Sequence, residues 1–317
     1  MLDLNSIFGY ALLIFIGFNI GVLSGFFGIG GCFILTPLLN ILSLPMTSAI
    51  GTGLLFSIIV SSLGSVKHFF IGNTIIKISM IVGFFAMIGV RISQPIVLYL
   101  DVLHEADFYI RLVYIVLLIG FGVMTLRKRQ NDESILNVSS RNIIYKLRNF
   151  PPLIKYGNNQ SISLYVLIIV ALFVGFIQGF LGVGGGFILV PIFIIILNMK
   201  SHHAVGTSLL TILISSSFAS YLYMLSGKVI FIVAGLLGIG AVFGVNLGVK
   251  MIAGIESGRL KYFFSVFLLL SSLGIVLKAV HFDSISTVYT LALCFSATAF
   301  IIFKYGLRIK FLRNDSN

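Results

Sequence analysis

Eleven apolar stretches, at about 7–28, 30–44, 47–66, 74–99, 109–126, 162–182, 184–198, 204–225, 229–252, 260–280 and 285–304, leave this chain little room for anything else. Several reach the ~20 residues that a helix needs to cross ~30 Å of hydrocarbon, whereas the strands of a membrane barrel are shorter and alternate in polarity. The expected fold class is an all-α polytopic membrane protein. Composition closes the soluble alternative, because 58% of the 317 residues are hydrophobic and 9% charged, where a soluble domain has about 45–50% and about 25%. The first stretch lacks the basic start of a signal peptide and is followed by many more, so it reads as a retained span.

Residues 9–44 and 162–198 stand apart. As single helices each would be roughly 54–56 Å long at ~1.5 Å per residue, too long for one crossing, and each is interrupted by glycines. Each is expected to be either a broken helix or a tight helical hairpin.

These two stretches also anchor an internal repeat. Residues 21–38, GVLSGFFGIGGCFILTPL, align without gaps on residues 175–192, GFIQGFLGVGGGFILVPI, at an offset of 154. An offset of 155 then superposes Ala49, Ile50, Gly51 and Thr52 on Ala204, Val205, Gly206 and Thr207, Ser61 and Ser62 on Ser216 and Ser217, and Gly72, Gly83 and Gly89 on Gly227, Gly238 and Gly244. The chain divides into a first transmembrane repeat (1–126), a basic cytoplasmic linker (127–160), a second repeat (161–281), and a final helix with a basic tail (282–317). With about five helical segments per unit, the second copy is inverted relative to the first if each glycine break turns the chain back. If each broken stretch crosses once, the inversion is lost.

Charge sets the orientation. The net charge is +12, and 11 of the 21 basic residues lie in two places: Arg127, Lys128, Arg129, Arg141, Lys146, Arg148 and Lys155 in the linker, and Lys304, Arg308, Lys310 and Arg313 in the tail. That clustering fits cytoplasmic loops rather than the basic stripe of a nucleic-acid-binding surface, so no nucleic-acid partner is expected. Counting crossings back from a cytoplasmic linker puts the N-terminus and the acidic loop with Asp101, Glu105 and Asp107 outside. It puts Lys67, Lys200, Arg259 and the C-terminus inside, with Lys228 and Lys278 as exceptions.

The chemistry is expected at the glycine clusters Gly28, Gly30 and Gly31, followed by Cys32, and Gly182, Gly184, Gly185 and Gly186. Consecutive glycines unwind a helix, and a polar backbone at membrane depth is tolerated where it lines a cavity or is buried in protein. A helix that starts there presents free N–H groups and a positive dipole end, which suits an anion. Close packing of small residues explains a single membrane glycine equally well, but not two matched clusters each followed by a proline, Pro37 or Pro191. Phe187 stands where a dinucleotide motif needs glycine, and no Gly-Lys-Ser or Gly-Lys-Thr follows either cluster, so no nucleotide and no cofactor are expected.

The paired motif, the Ala-Val-Gly-Thr-Ser at 204–208 and the later glycine-rich segments resemble the TauE/SafE sulfite exporter family, also called the toluenesulfonate uptake permease family. The resemblance covers nearly the whole chain. It implies a multi-pass transporter of small organic or inorganic anions, often sulfur-containing, in the bacterial plasma membrane. The chain departs from the pattern at Cys32, where the second copy has Gly186, and at Gly53, where the second copy has Ser208. The class of substrate is implied rather than its identity.

Thr52, Thr207 and Ser208 open the segments after the breaks and have hydroxyls to offer an anion, although capping and back-bonding are common uses of such residues. Gln178 lies four residues before Gly182, one helical turn away. Arg91 either faces a cavity or snorkels to the outer interface. His202 and His203 are adjacent with no third ligand nearby in sequence, so no metal site is expected. Cys32 and Cys294 both lie in apolar runs and read as separate buried thiols.

The expected function is secondary transport of a small anion, with Gly28, Gly30, Gly31, Gly182, Gly184, Gly185, Gly186, Thr52, Thr207, Ser208 and Gln178 at the substrate site and lipid as the other partner. An anion channel could use the same breaks. An intramembrane enzyme is disfavoured because no His, Asp or Glu lies in the glycine-bearing segments.

Overall fold

The computed structural model describes residues 7–28, 30–130, 150–156, 160–197, 199–252, 257–280 and 282–306. The first unit comprises α1 (Ile7–Phe27), α2 (Cys32–Ile41), α3 (Met46–Phe70), α4 (Ile76–Val102) and α5 (Ala106–Gln130). The second comprises α6 (Leu164–Leu181), α7 (Gly186–Ile195), α8 (Ser201–Leu225), α9 (Phe231–Ile252) and α10 (Ser257–Ala279), followed by α11 (Asp283–Ile301) and a π-helical turn, Ile302–Gly306. Among the described residues nine helices are long and apolar enough to cross a membrane. The ten-residue helices α2 and α7 are not, since ten residues of helix rise only ~15 Å. The chain is an all-α multi-pass membrane protein.

One element departs from the expectation for the linker. Leu153–Tyr156 (β1) and Gln160–Ser163 (β2) form an antiparallel hairpin with Leu153 opposite Ser163. The Tyr156 hydroxyl donates to the Leu197 carbonyl (2.6 Å), which ties the hairpin to the end of the second broken stretch. The remainder of the linker, 131–149, and the tail from 307 lie outside the described residues.

Helix directions follow from which residues meet. Gly21 abuts Ala241, and Gly25 abuts Val245, where an added Cβ would lie 2.8 Å from the Ala241 Cα and 2.8 Å from the Val245 carbonyl oxygen. α1 and α9 are thus parallel and in backbone contact. α6 runs parallel to α4 in the same way, Gly175 against Ala86 and Gly179 against Val90. Small residues permit these approaches, and in lipid, where hydrophobic burial does not distinguish a neighbouring helix from an acyl chain, close packing is what holds helices together. For these glycines, packing is the role the structure supports.

α9 also runs parallel to α3, with Ile230 beside Thr52 and Gly238 beside Ile59. α2 is joined to α3 by a short turn and folds back along it, its Cys32 thiol donating to the Gly53 carbonyl (2.6 Å). Since α1 runs with α3 and α2 against it, the chain doubles back at the first glycine break. The second break does the same: α6 runs with α4, α4 with α8 (Ser79 at Thr207, Gly83 at Ile214), and α7 returns along α8. Both broken stretches are helical hairpins. α3 and α8 lie antiparallel across the centre, with Ser57 facing Ser216, Gly64 facing Leu209 and His68 facing Gly206.

Candidate functional site

Each hairpin turns through glycines because the backbone there enters the left-handed region. Gly31 and Gly185, the residues immediately before α2 and α7, have φ of +77° and +73°, which a side chain would strain. A Cβ at Gly185 would also lie 2.9 Å from Val174 Cγ1, so bulky replacements there test folding before they test a site. Gly28 and Gly182 are needed for close approach, because a Cβ would come within 2.5 Å of Val205 Cγ1 in the first case and 2.7 Å of Ile50 Cα in the second. Val205 and Ile50 are themselves equivalent positions, so each unit presses the start of its third helix against the other unit's break.

The two breaks meet at Gly30 and Gly184. A Cβ at Gly184 would lie 3.5 Å from Gly30 Cα, 2.6 Å from Ser57 Oγ and 3.1 Å from Ile212 Cγ2. A Cβ at Gly30 would meet the same two side chains, at 3.0 and 3.1 Å. Ser57 and Ile212 occupy matching positions on α3 and α8, so the crossing has two matched sides, one polar and one apolar. Gln178 Nε2 donates to Ser216 Oγ (2.7 Å), Ser216 Oγ donates to Ser57 Oγ (3.3 Å), and Ser61 Oγ donates to the Ser57 carbonyl (2.5 Å). Gln178 Oε1 and Ser24 Oγ are buried without a hydrogen-bond partner among the described residues. Ser24 is the first unit's counterpart of Gln178, so each hairpin holds one unsatisfied polar atom one turn before its break.

α2 and α7 both begin here with no side-chain cap. The ladder of α7 starts with Ile188 and Leu189 donating to the Gly185 carbonyl (3.1 and 3.0 Å), which leaves the N–H groups of Gly186 and Phe187 ahead of it. The positive dipole ends of α2 and α7 thus lie at the crossing, with the Gly186 and Phe187 N–H groups ahead of the α7 ladder. No charged residue lies in 20–41 or 174–195, so the helix starts are the local source of positive potential, which suits an anion.

The hydroxyls anticipated at the site are spread more widely. Thr52 Oγ1 accepts from Ile230 N–H (3.0 Å) and Thr207 Oγ1 accepts from Ile75 N–H (3.1 Å), each capping a helix entry away from the crossing. Ser208 Oγ lies within 2.8 Å of both the Gly28 and Val205 carbonyls and ties α8 to the first break. Gly53 in the first unit has no hydroxyl, and Thr36 provides the matching bond by donating to the Gly182 carbonyl (3.2 Å). Cys32 and Gly53 are neighbours, the thiol donating to the Gly53 carbonyl, and the Thr36 hydroxyl takes the space beside Gly53, where a Cβ would lie 2.8 Å from it. Gly28, Gly30, Gly31, Gly182, Gly184, Gly185, Gly186 and Gln178 converge, whereas Thr52 and Thr207 do not.

Sequence reasoning overlooked Ser57, since Ile212 at the matching position hid it from a search for duplicated residues. It also overlooked Thr36, Tyr114, whose hydroxyl donates to the Leu181 carbonyl (2.8 Å), and Tyr223, which donates to the Gly179 carbonyl (2.7 Å). Arg91 is exposed on α4. The histidine pair belongs to no group of three or more potential metal ligands among the described residues.

Known proteins are similar to this chain over much of its length. Over 242 residues the chain is 25% identical to the probable membrane transporter protein YdhB of Bacillus subtilis, a match that spans 75% of this chain and 89% of the relative. It is 28% identical to the probable membrane transporter protein YunE of the same organism over 260 residues, 75% of this chain and 87% of the relative. A more distant host, Methanocaldococcus jannaschii, has the probable membrane transporter protein MJ0441, 26% identical over 187 residues, 57% of this chain and 60% of the relative. No solved structure matches. The model of the family described as sulfite exporter TauE/SafE matches residues 13–275, and the chain belongs to that family of membrane transporters.

Proposed function

We propose that the protein is a secondary transporter of a small oxyanion of the sulfite or sulfonate class, carried past the crossing of its two glycine breaks. The observation that carries the reading is the meeting of two uncapped helix starts, α2 and α7, at Gly30 and Gly184 beside Ser57. The N–H groups of the breaks bind the anion, and Ser57, Ser216 and Gln178 complete its hydrogen bonds. Cys32–Gly53 on one side and Gly186–Ser208 on the other give the crossing an unequal shape, which sets substrate size.

The antiparallel pairing of α3 with α8, equivalent helices of the two units, supports an inverted repeat, and rocking of one unit against the other alternates access. The N-terminus faces outward, and the basic linker and tail face the cytoplasm of a bacterial cell, in keeping with their charge.

The experiment is counterflow in proteoliposomes loaded with sulfite, thiosulfate, short sulfonates or carboxylates, comparing wild type with Gly184→Ala. Gly184 has an ordinary backbone conformation, so alanine there disturbs the crossing without straining the turn. Saturable exchange lost in the variant supports the reading, and flux that neither saturates nor exchanges would identify a channel instead. Exchange unchanged in Gly184→Ala sinks the proposed site.

A further inference from the structure

The first turns of α3 and α8 stand at equivalent places in the two units but are furnished differently. At α3 the protein supplies its own anion. Met46 N–H donates to Asp107 Oδ1 (3.2 Å), Asn40 Nδ2 donates to Asp107 Oδ2 (3.4 Å), and Arg111 pairs with the same oxygen (3.0 Å). Beside it the Thr47 hydroxyl donates to Asp101 Oδ1 (3.0 Å), and Lys228 pairs with Asp101 Oδ2 (2.7 Å). A carboxylate at a helix N-terminus is stabilised by the dipole and satisfies donors that the helix cannot.

At α8 the N-terminus follows Lys200 and has no side-chain cap. Its ladder begins with Ala204 donating to the Lys200 carbonyl (3.0 Å), so the N–H groups of Ser201, His202 and His203 precede it. The helix matching α5 is α10, and its first turn contains no acidic residue. Among the described residues, His68 Nε2, Thr74 Oγ1, Ser201 Oγ and His203 Nδ1 are buried at this end without partners, with His68 0% and Ser201 4% exposed. His68 packs against Gly206, where a Cβ would lie 2.9 Å from its own. Asn73 Nδ2 lies 3.4 Å from His68 Nδ1. An amide nitrogen only donates, so Nδ1 accepts, the ring proton sits on Nε2, and that buried N–H has no acceptor.

We infer that the N-terminus of α8 binds a small oxyanion of the size and charge of sulfate or hydrogen phosphate, in the place that Asp107 fills at α3. The N–H groups of residues 201–203, the Ser201 hydroxyl and His68 Nε2–H are its donors, and Lys200 supplies charge. The site is separate from the glycine crossing and does not depend on how that crossing is read. Its occupant is either the transported anion, waiting at the basic mouth, or free phosphate or sulfate, since both present the same oxygens.

The test is calorimetric titration of the full-length detergent-solubilised protein with sulfate, phosphate and sulfite at constant ionic strength. Sulfate and phosphate saturate one site in wild type; His68→Leu weakens that binding by about tenfold and Lys200→Gln by about threefold, while Lys228→Gln, beside Asp101 at the first turn of α3, has no effect. Lys200 is exposed, so its replacement carries no risk of misfolding. Binding of sulfate and phosphate alike supports a free oxyanion as occupant, and binding of the transported anion alone supports the waiting position. The inference is overturned if wild type shows no saturable binding, if both His68→Leu and Lys200→Gln bind as wild type does, or if binding is lost only in Gln178→Leu, which would move it to the crossing. Glu256, at the repeat position of Asp101, lies outside the described residues. Tighter binding by about tenfold in Glu256→Gln would mean that this carboxylate already fills the place, and would also overturn the inference.

Discussion

Phe33 and Phe187, which follow the two glycine breaks at equivalent positions, stack on each other with ring centroids 6.2 Å apart and planes 25° apart. Under the inverted repeat proposed above, residues related by the symmetry touch each other only on its axis, so this pair marks where that axis runs. It passes through the crossing, which explains why Ser57 and Ile212 each approach both Gly30 and Gly184.

From that geometry we predict that Gly184→Ala lowers exchange by at least about tenfold, because its methyl group needs the space of Ser57 Oγ. Initial exchange rates of the variant and the wild type check this. An unchanged rate would mean that the steric account is wrong.

Gln178→Leu is expected to separate function from folding. It removes one hydrogen bond to Ser216 and one buried, unpartnered carbonyl oxygen, two effects that nearly offset, so stability changes by less than about 1 kcal/mol. Exchange nevertheless falls, because the hydroxyl network around Ser57 loses its anchor. Thermal unfolding in detergent and counterflow on the same preparation read the two quantities, and a variant that transports normally removes Gln178 from the site.

Thr52→Val and Thr207→Val are expected to behave as twins. Each deletes the acceptor for one N–H at a helix entry, Ile230 or Ile75, at a cost of about 1–2 kcal/mol. Neither changes the substrate concentration for half-maximal exchange. A marked rise in that concentration for one of them would place its hydroxyl on the substrate path.

At the acidic end the two ion pairs are unequal in consequence. Lys228→Ala breaks a pair whose side chains are 33% and 26% exposed, and costs less than about 1 kcal/mol, falling further in high salt. Asp107→Ala costs about 1–3 kcal/mol, because Met46 N–H and Asn40 lose an acceptor and Arg111 its counter-charge. Denaturation midpoints at low and high salt measure both, and equal losses would count against a capping role for Asp107.

Much of this was legible in the order of residues. The apolar run lengths give the helices, and the GIGGCFIL and GVGGGFIL runs give the two breaks and their equivalence. What the run lengths left open was whether the chain continues or returns at each break, since residues 28–31 are compatible with either. Contacts between distant parts decide it, Cys32 with Gly53 and Gly21 with Ala241, and no local pattern encodes those. Ser57 was missed for a related reason: the symmetry is broken at the axis itself, where one residue cannot serve both halves identically. Nor did Thr52 and Thr207 betray that they reach into the opposite unit, because a hydroxyl at a helix start looks the same whichever N–H it serves. The β1–β2 hairpin is a short four-residue pairing, Leu153 against Ser163 and Ile154 against Ile162, inside a segment whose basic charge is its dominant pattern.

Four fastenings near the breaks reach across: Ser208 holds Gly28, Thr36 holds Gly182, Thr52 holds the entry to α9 and Thr207 the entry to α4. During synthesis the first half therefore leaves the ribosome with these four latches open and must wait in the bilayer until the second half is inserted. A gene cut between the halves should yield two pieces that are each short-lived alone and persist when made together.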